Sequence, residues 1–203
     1  MANVEFFFLD TRSHRGLPLA DFERRTGQSM LGQQQKAWLK RVMQASTAEI
    51  LLVISSVNFM IPHVGKGGFI TATRYGDESW TGFMAEREEL IAFWEQLGKP
   101  VLIFSGDLHN SFAVKISDRI WEFAAGPHNS ANHNLSSEGR RPLNGPYLSG
   151  DRPCQIRWST FFLDDTAAAM RKQPVYTVVQ VNNVFNNPGG DGTPSWVAYP
   201  HPQ

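Results

Sequence analysis

Three short apolar runs constrain this chain most strongly, because each one ends abruptly in small or polar residues. The runs are residues 4–9, 50–54 and 101–104. Each is too short for a good helix and too uniformly apolar for a strand with one wet face, which is typical of strands buried inside a sheet. The sequence therefore predicts central strands that deliver polar loops to one edge of a sheet.

Two segments between these runs have the periodicity of amphipathic helices. Residues 31–43 carry an apolar stripe, and residues 82–97 place apolar side chains at steps of seven, four and three. Helices with one apolar stripe pack on a sheet and leave their charged side in water. Glu86 and Arg87 lie in a charged cluster opposite the second stripe, so we expect them on a solvated helix face.

The later part of the chain predicts strand pairs and loops. Its strand-like runs are residues 112–116, 120–125, 156–163 and 175–184, with a short helical piece at 165–172. Residues 127–153 lack an apolar period and are rich in Asn, Ser, Gly and Pro, which predicts a long surface loop. Residues 186–203 are predicted as a loop-like tail. The pattern as a whole favours a single α/β domain over residues 1–203, a mixed sheet flanked by helices.

Composition excludes several classes of partner and site. Lys plus Arg and Asp plus Glu both number 19, so no global basic field gathers nucleic acid or anionic lipid. Cys154 is the sole cysteine, which excludes an intrachain disulfide and a zinc site of several thiolates. No apolar run is long enough to cross a bilayer, and the start lacks the features of a signal peptide. We expect a soluble chain without a membrane contact, and the compartment stays open.

The candidate chemical site is the turn Gly106-Asp107-Leu108-His109, which follows the third apolar run. An extended backbone there directs the Asp107 carboxylate and the His109 imidazole to the same side. These two groups suit zinc, iron or manganese, and a bound cation supports phosphate ester hydrolysis. The glycine permits close approach of a substrate. An Asp after a strand is also a common turn cap, so the pattern alone leaves that alternative open.

Further segments resemble the PhoD-like (alkaline phosphatase D type) metallophosphoesterases. They are Val4-Glu5-Phe6-Phe7-Phe8-Leu9-Asp10-Thr11-Arg12-Ser13-His14-Arg15, Met30-Leu31-Gly32-Gln33-Gln34-Gln35-Lys36-Ala37-Trp38-Leu39, Ser79-Trp80-Thr81-Gly82-Phe83 with Glu86-Arg87, and Ser105-Gly106-Asp107-Leu108-His109-Asn110-Ser111. The resemblance covers about the first 135 residues and preserves their order. It implies a fold like the C-terminal half of an αββα sandwich. It also implies a metal centre at Asp107 and His109 that holds Zn, Mn, Fe or Ca.

The resemblance has one marked departure. Members of the family carry an upstream half that supplies most metal ligands, and this chain begins where their second half begins. We therefore expect a truncated domain in which the matching positions of one copy do not complete a two-metal centre. The orphaned sheet face predicts a homo-oligomer.

Four other residues are candidates for binding a phosphoester substrate. Arg12 has a planar guanidinium group whose paired N–H donors suit phosphate oxygens, although a salt bridge that fixes its loop is an equal alternative. Asn110 follows the candidate ligands directly. His63 and His128 lie in polar loops, where solvated side chains are the ordinary interpretation.

These observations favour a metal-dependent hydrolase of phosphoric mono- or diesters that uses a metal-activated water. One alternative is a non-catalytic or oligomerising truncated domain. Another is a metal-independent hydrolase of glycosides or carboxylic esters, in which carboxylates such as Asp10, Asp107 and Glu122 form a pair. Cys154 lacks an evident histidine partner, which disfavours a thiol protease.

Overall fold

The computed structural model describes residues 4–16, 28–63, 79–128, 132, 138, 141–160, 175–182 and 195–202. Seven strands of this part form one mixed sheet in the order β1-β2-β3-β5-β4-β7-β6. Strands β8 and β9 pair with each other in a separate two-stranded sheet. The α/β class predicted from the sequence is confirmed.

The first half of the large sheet is parallel. Strands β1, β2, β3 and β5 pair in parallel register, with Phe6 opposite Leu52 and Leu102 opposite Trp121. Their bounds are Val4–Phe8, Ile50–Ile54, Val101–Ser105 and Ile120–Ala124. Parallel strands place all their carboxyl ends at the same sheet edge, so the loops that follow these four strands share one surface.

The second half of the sheet is antiparallel. Strand β4 pairs with β5 on one side and with β7 on the other, and β6 pairs with β7 at the far edge. The bounds are Phe112–Lys115 for β4, Gly145–Ser149 for β6, Arg152–Ser159 for β7, Val175–Asn182 for β8 and Ser195–Pro202 for β9. The hairpin expected at 112–125 is therefore confirmed.

Two helices of the described segments lie between the parallel strands. Helix α1, Gly32–Ala45, leads from β1 to β2, and helix α2, Met84–Leu97, follows a 3-10 helix at Trp80–Phe83 and leads to β3. The two helices meet through Lys36, which lies 2.7 Å from Glu89, and Lys40, which lies 2.5 Å from the same carboxylate. None of the helices in the described segments is long and apolar enough to span a bilayer.

The main core lies between these helices and one face of the sheet. Leu39 and Met43 of α1 and Leu90 and Trp94 of α2 are fully buried in one cluster with Ile103 of β3. Aromatic rings reinforce this core, because the ring of Phe59 lies 5.1 Å from that of Trp80 and 5.5 Å from that of Trp94. The apolar stripes predicted from the sequence thus face the sheet.

The opposite sheet face is also apolar but only partly covered. A small cluster of Ile50, Leu52, Leu102 and Phe123 is buried there, and Val179 of β8 packs against it. Toward the free edge, Phe6 and Phe8 of β1 are 55% and 70% exposed. This edge strand therefore presents two large apolar side chains to solvent.

Two strands lie in segments that the sequence predicted as loops. Strand β6 lies near the end of the 127–153 segment, and β9 lies in the second half of the 186–203 tail. Strand β6 leaves no apolar signal in the sequence, because only Ser149 among its five residues is fully buried. The helical piece expected at 165–172 lies outside the described residues.

Candidate functional site

The loops at the carboxyl ends of the four parallel strands bring the predicted site residues to one edge. Arg12 follows β1, His63 lies in the loop after β2, Asp107 and His109 follow β3, and His128 follows β5. Hydrogen bonds extend the sheet to this edge, from Ser55 N to Phe104 O at 2.9 Å and from Ala125 N to Ser105 O at 3.1 Å. The fold thus groups these segments, although they lie far apart in sequence.

Direct contacts join neighbouring loops at this edge. Thr11 is 1% exposed, and its hydroxyl shares a hydrogen bond with the hydroxyl of Ser56. Gly106 in turn lies beside Ser56, whose carbonyl oxygen is 4.0 Å from where a Gly106 Cβ would stand. The loops after β1, β2 and β3 therefore form a continuous surface.

Asp107 stands in an unusual backbone conformation. Its φ is 71°, and the amide of Leu108 donates to the carbonyl oxygen of Gly106 at 2.9 Å. Together these features define a tight three-residue turn with Asp107 at its apex. The extended backbone expected here is therefore wrong, because β3 ends at Ser105 and the chain turns two residues later. Non-glycine residues at positive φ are uncommon and concentrate at functional sites.

The turn presents its side chains unequally. Asp107 is exposed, His109 is half-buried, and Leu108 between them is 1% exposed. The buried Leu108 side chain anchors the turn in the core, while the two polar side chains stay at the surface. This arrangement leaves a carboxylate and an imidazole accessible from the sheet edge.

One carboxylate and one imidazole fit a divalent cation in type but not in number. Protein sites for zinc or iron use three or four protein ligands. Within the described ranges, no group of three or more His, Cys, Asp or Glu side chains is placed to hold a metal ion. Asp107 and His109 alone are therefore too few to complete such a site within the described residues.

Arg12 belongs to a loop that Asp10 organises. The Asp10 carboxylate accepts hydrogen bonds from the backbone amides of Arg12 and Ser13, both at 2.9 Å. Hydrogen bonding, chiefly from Ser13, lowers the pKa of Asp10 to about 2. Gln35 of α1 holds the start of the loop, because its side chain exchanges two 2.8 Å hydrogen bonds with the Asp10 backbone. The exposed Arg12 side chain thus rises from a well-anchored turn.

Glu122 on β5 is fully buried and shapes the loop that leads to the half-buried His63. Its carboxylate accepts from the amides of Phe59 at 2.6 Å and Met60 at 2.8 Å, and from the hydroxyl of Ser105 at 2.6 Å. Burial raises its pKa, and these three donors oppose that shift. The suggested pairing of Glu122 with Asp10 or Asp107 is therefore wrong, since the side chain faces the core.

Asn110 points away from solvent. It is 0% exposed, and its side-chain amide donates to the carboxylate of Glu138. His128, in contrast, is exposed. Sequence reasoning missed Glu138, because it lies in a segment without apolar period. The only available signal was an acidic and a basic residue three apart, Glu138 and Arg141.

Glu86 and Arg87 are 4% and 1% exposed, so the expectation of a solvated helix face is wrong. The Glu86 carboxylate accepts from Ser29 Oγ at 2.6 Å and from Met30 N at 2.5 Å, which ties the loop before α1 to α2. Arg87 donates to the hydroxyl and carbonyl oxygens of Ser149 at 2.7 and 2.8 Å. Helical periodicity missed them because buried charges satisfied by loop backbone leave no apolar signal.

Cys154 lies in β7, and its thiol is buried in the core. The residue is 5% exposed and its Sγ is 3.5 Å from the carbonyl oxygen of Tyr147. Burial is the main cause that raises its pKa to about 11. Nucleophilic cysteines need a lowered pKa and access, so this geometry argues against thiol catalysis.

Known proteins match part of this chain. Alkaline phosphatase D of Bacillus subtilis (strain 168) is 30% identical over 124 residues, which cover 56% of this chain and 20% of that protein. A solved structure described as "Structure of PhoD" matches with a TM-score of 0.49 and 19% identity, covering 77% of this chain and 33% of that one. The chain thus spans about a fifth and a third of these two relatives.

A sequence model of the family described as PhoD-like phosphatase matches residues 2–149. The matched range includes the loops after β1, β2, β3 and β5, and so all the candidate residues at the sheet edge. Because the match covers well over half of the sequence, the chain belongs to the PhoD-like phosphatase family.

Proposed function

We propose that this chain takes part in metal-dependent hydrolysis of phosphoric esters at the sheet edge that carries Asp107 and His109. The observation that carries the proposal is the tight turn at Asp107. A carboxylate is held there at φ 71° beside a half-buried imidazole, at the carboxyl ends of parallel strands. Ligands bind at this end of parallel sheets, and membership of a phosphatase family supports the reaction class.

The chain's own residues have distinct roles in this proposal. Asp107 and His109 contribute two ligands to a cation, Zn, Mn, Fe or Ca, which when bound supplies Lewis acidity and a nucleophile at neutral pH. Arg12 binds phosphate oxygens through its planar fork, because it is exposed on a loop joined to the same surface. His63 or His128 holds a proton near the leaving oxygen.

The substrate is a small phosphomonoester or phosphodiester. Asp107 and His109 supply only part of a cation site, so this proposal requires further ligands from residues outside the described set, from a second copy or from another chain. A non-catalytic domain that keeps the same turn is the alternative. The hydrolase and the non-catalytic domain are distinguished by one observation: whether loss of a ligand changes both cation binding and hydrolysis.

Two substitutions test the ligand assignment. Asp107→Asn and His109→Ala should each lower cation affinity at least tenfold and reduce hydrolysis of an aryl phosphate in proportion, since each removes a donor. Asparagine is chosen because it tolerates positive φ and so preserves the turn. The matched control is Asp118→Asn, an exposed carboxylate in the β4–β5 turn at the opposite sheet edge. Unchanged cation affinity in both site variants would reject the assignment.

We further propose that the chain self-associates through β1. Phe6 and Phe8 stack with ring centroids 6.3 Å apart on the exposed face of an edge strand, which pairs with β2 on its other side. Exposed edges with large apolar side chains recruit other strands or surfaces. A two-fold dimer buries the same patch of both copies.

A further inference from the structure

A network of hydrogen bonds between buried polar side chains supports the Asp107 turn on its core side. Asn132 donates from its side-chain amide to the carbonyl oxygen of His109 at 2.7 Å and lies 3.5 Å from the side-chain carbonyl oxygen of Asn110. Asn110 donates to Glu138 Oε1, and Glu138 Oε2 accepts from Arg141 Nε at 2.6 Å. The hydrogen bonds therefore run without a break from the His109 backbone to Arg141.

The Arg141 end of this hydrogen-bond network is firmly anchored. Arg141 donates to the hydroxyl of Ser159 at 2.7 Å, and its guanidinium carbon lies 4.9 Å from the centre of the Phe112 ring. Glu138 and Arg141 are 0% and 1% exposed. A buried ion pair holds its geometry tightly, because either charge left alone in the core is strongly unfavourable. The pair is therefore a rigid support on the antiparallel half of the sheet.

The residue after Asn110 is fixed just as closely. Ser111 N donates to Thr160 Oγ1 at 3.0 Å, and Thr160 N donates to Ser111 O at 2.8 Å. Gly126 lies so close that an added Cβ would stand 2.9 Å from Ser111 Oγ. The backbone from His109 to Ser111 is thus held on both sides, which leaves the Asp107 apex as the accessible end of a fixed turn.

We propose that Asn110 is a positioning residue, coupled through Glu138 and Arg141, that fixes the orientation of His109 and Asp107 toward their ligand. This role replaces the substrate contact expected for Asn110, since both ends of its amide are engaged away from solvent. The inference rests on the proposed function in that the ligand is the cation. Outer partners of metal ligands contribute about tenfold to a hundredfold in affinity.

A reciprocal exchange of side chains tests this role. Asn110→Asp places one carboxylate against that of Glu138, and Glu138→Gln places an amide donor against either Asn110 or Arg141. The double variant restores every hydrogen bond and keeps the net charge, with the carboxylate moved from position 138 to position 110. The new amide at position 138 donates to the new carboxylate at position 110 and its carbonyl oxygen accepts from Arg141, while the new carboxylate still accepts from Asn132. Such a cycle isolates the coupling between the two positions.

Cation affinity and local backbone order are the readouts. Mn²⁺ titration should show each single variant weakened about tenfold, with the double variant within about threefold of the wild type. Amide hydrogen exchange at residues 108–111 and the ring signals of His109 should change in the singles and return in the double. Leu90→Ala, a core change in α2, should lower stability without changing either readout.

The two readouts separate the inference from the proposed function. If the wild type binds no Mn²⁺ and hydrolyses no aryl phosphate, the proposed function fails, while hydrogen exchange and the His109 signals still decide the positioning role. Single variants that match the wild type in these local signals would overturn it. A double variant as perturbed as the two singles combined would overturn it as well.

Discussion

The amide of Leu108 donates to the carbonyl oxygen of Gly106 at 2.9 Å, which closes a tight turn around the exposed Asp107. The φ of 71° at Asp107 belongs to a region where a side chain is unfavourable, by about 1 to 2 kcal/mol for most residues. Asp107 is the one non-glycine residue with positive φ in the described part of the chain. The unfavourable conformation coincides with the carboxylate to which the proposed function assigns the cation.

The first prediction separates the backbone of Asp107 from its carboxylate. Asp107→Gly should be more stable than Asp107→Ala by about 1 kcal/mol, because glycine adopts positive φ without steric cost. Both variants should lose cation binding. Urea unfolding measures the difference, and Gly98→Ala is the converse control, since Gly98 has φ 69° in an exposed helix cap. Equal stability of the two Asp107 variants would contradict the turn geometry.

The second prediction concerns Glu122, which supports the loop after β2. Glu122→Ala should lower the free energy of unfolding by about 3 kcal/mol or more, because it leaves two buried backbone amides without an acceptor. Glu95→Ala, at an exposed position of α2, should change it by less than about 0.5 kcal/mol. A small effect at Glu122 would show that the loop does not depend on this carboxylate.

Glu122 also predicts a pH dependence. Because burial raises the folded-state pKa of Glu122 above the ordinary 4.5, the side chain binds its proton more tightly in the fold than in the unfolded chain. Its contribution is fully present below pH 4.5 and is lost as pH rises through the folded pKa. The wild type should therefore lose stability relative to Glu122→Gln as the pH rises from 4.5 toward neutrality. Unfolding curves that keep a constant difference over this range would refute the shift.

The third prediction concerns Cys154. A rise in pKa from 9.0 to about 11 lowers the thiolate fraction near pH 8 about a hundredfold, and burial adds a steric barrier. Ellman's reagent should therefore react with the folded protein at least a hundred times more slowly than with the protein in urea. Rapid labelling of the folded chain would mean that β7 opens or that the thiol is accessible.

The fourth prediction concerns self-association. Light scattering should show a dimer at micromolar concentration, and the double variant Phe6→Glu with Phe8→Glu should be monomeric, because charges on an edge strand oppose pairing. Leu148→Glu is the control, because it replaces an apolar residue that is 64% exposed on β6, the strand at the other side of the sheet from β1. This variant should stay dimeric. A monomeric wild type would refute the proposal.

The parallel half of the fold follows from local sequence. The apolar runs at 4–9, 50–54 and 101–104 correspond to β1, β2 and β3 within one residue at each end. Uniformly apolar strands leave a clear signal, as does the helical stripe of α1. Strand β6 leaves no such signal, because most of its side chains are not buried and its position depends on pairing with β7.

The candidate reactive residues could be named from the sequence, whereas the buried charged residues that support the fold around them could not. Asp107 and His109 stand out because a strand ends directly before them. The supporting residues do not stand out, since each is a charged side chain buried within the fold. They are Glu86, Arg87, Glu122, Glu138 and Arg141. Periodicity assigns charged residues to solvent, and only the tertiary structure shows which of them satisfy loop backbone or one another.

The most direct test of the central claim is bound metal measured together with hydrolysis of an aryl phosphate, before and after treatment with a chelator. A metal-dependent site predicts a bound divalent or trivalent ion, hydrolysis that the chelator abolishes, and recovery when the ion is restored. Full hydrolysis by the metal-free protein would contradict a metal-dependent site at Asp107 and His109. Absence of both metal and hydrolysis in the intact chain would instead favour the non-catalytic alternative.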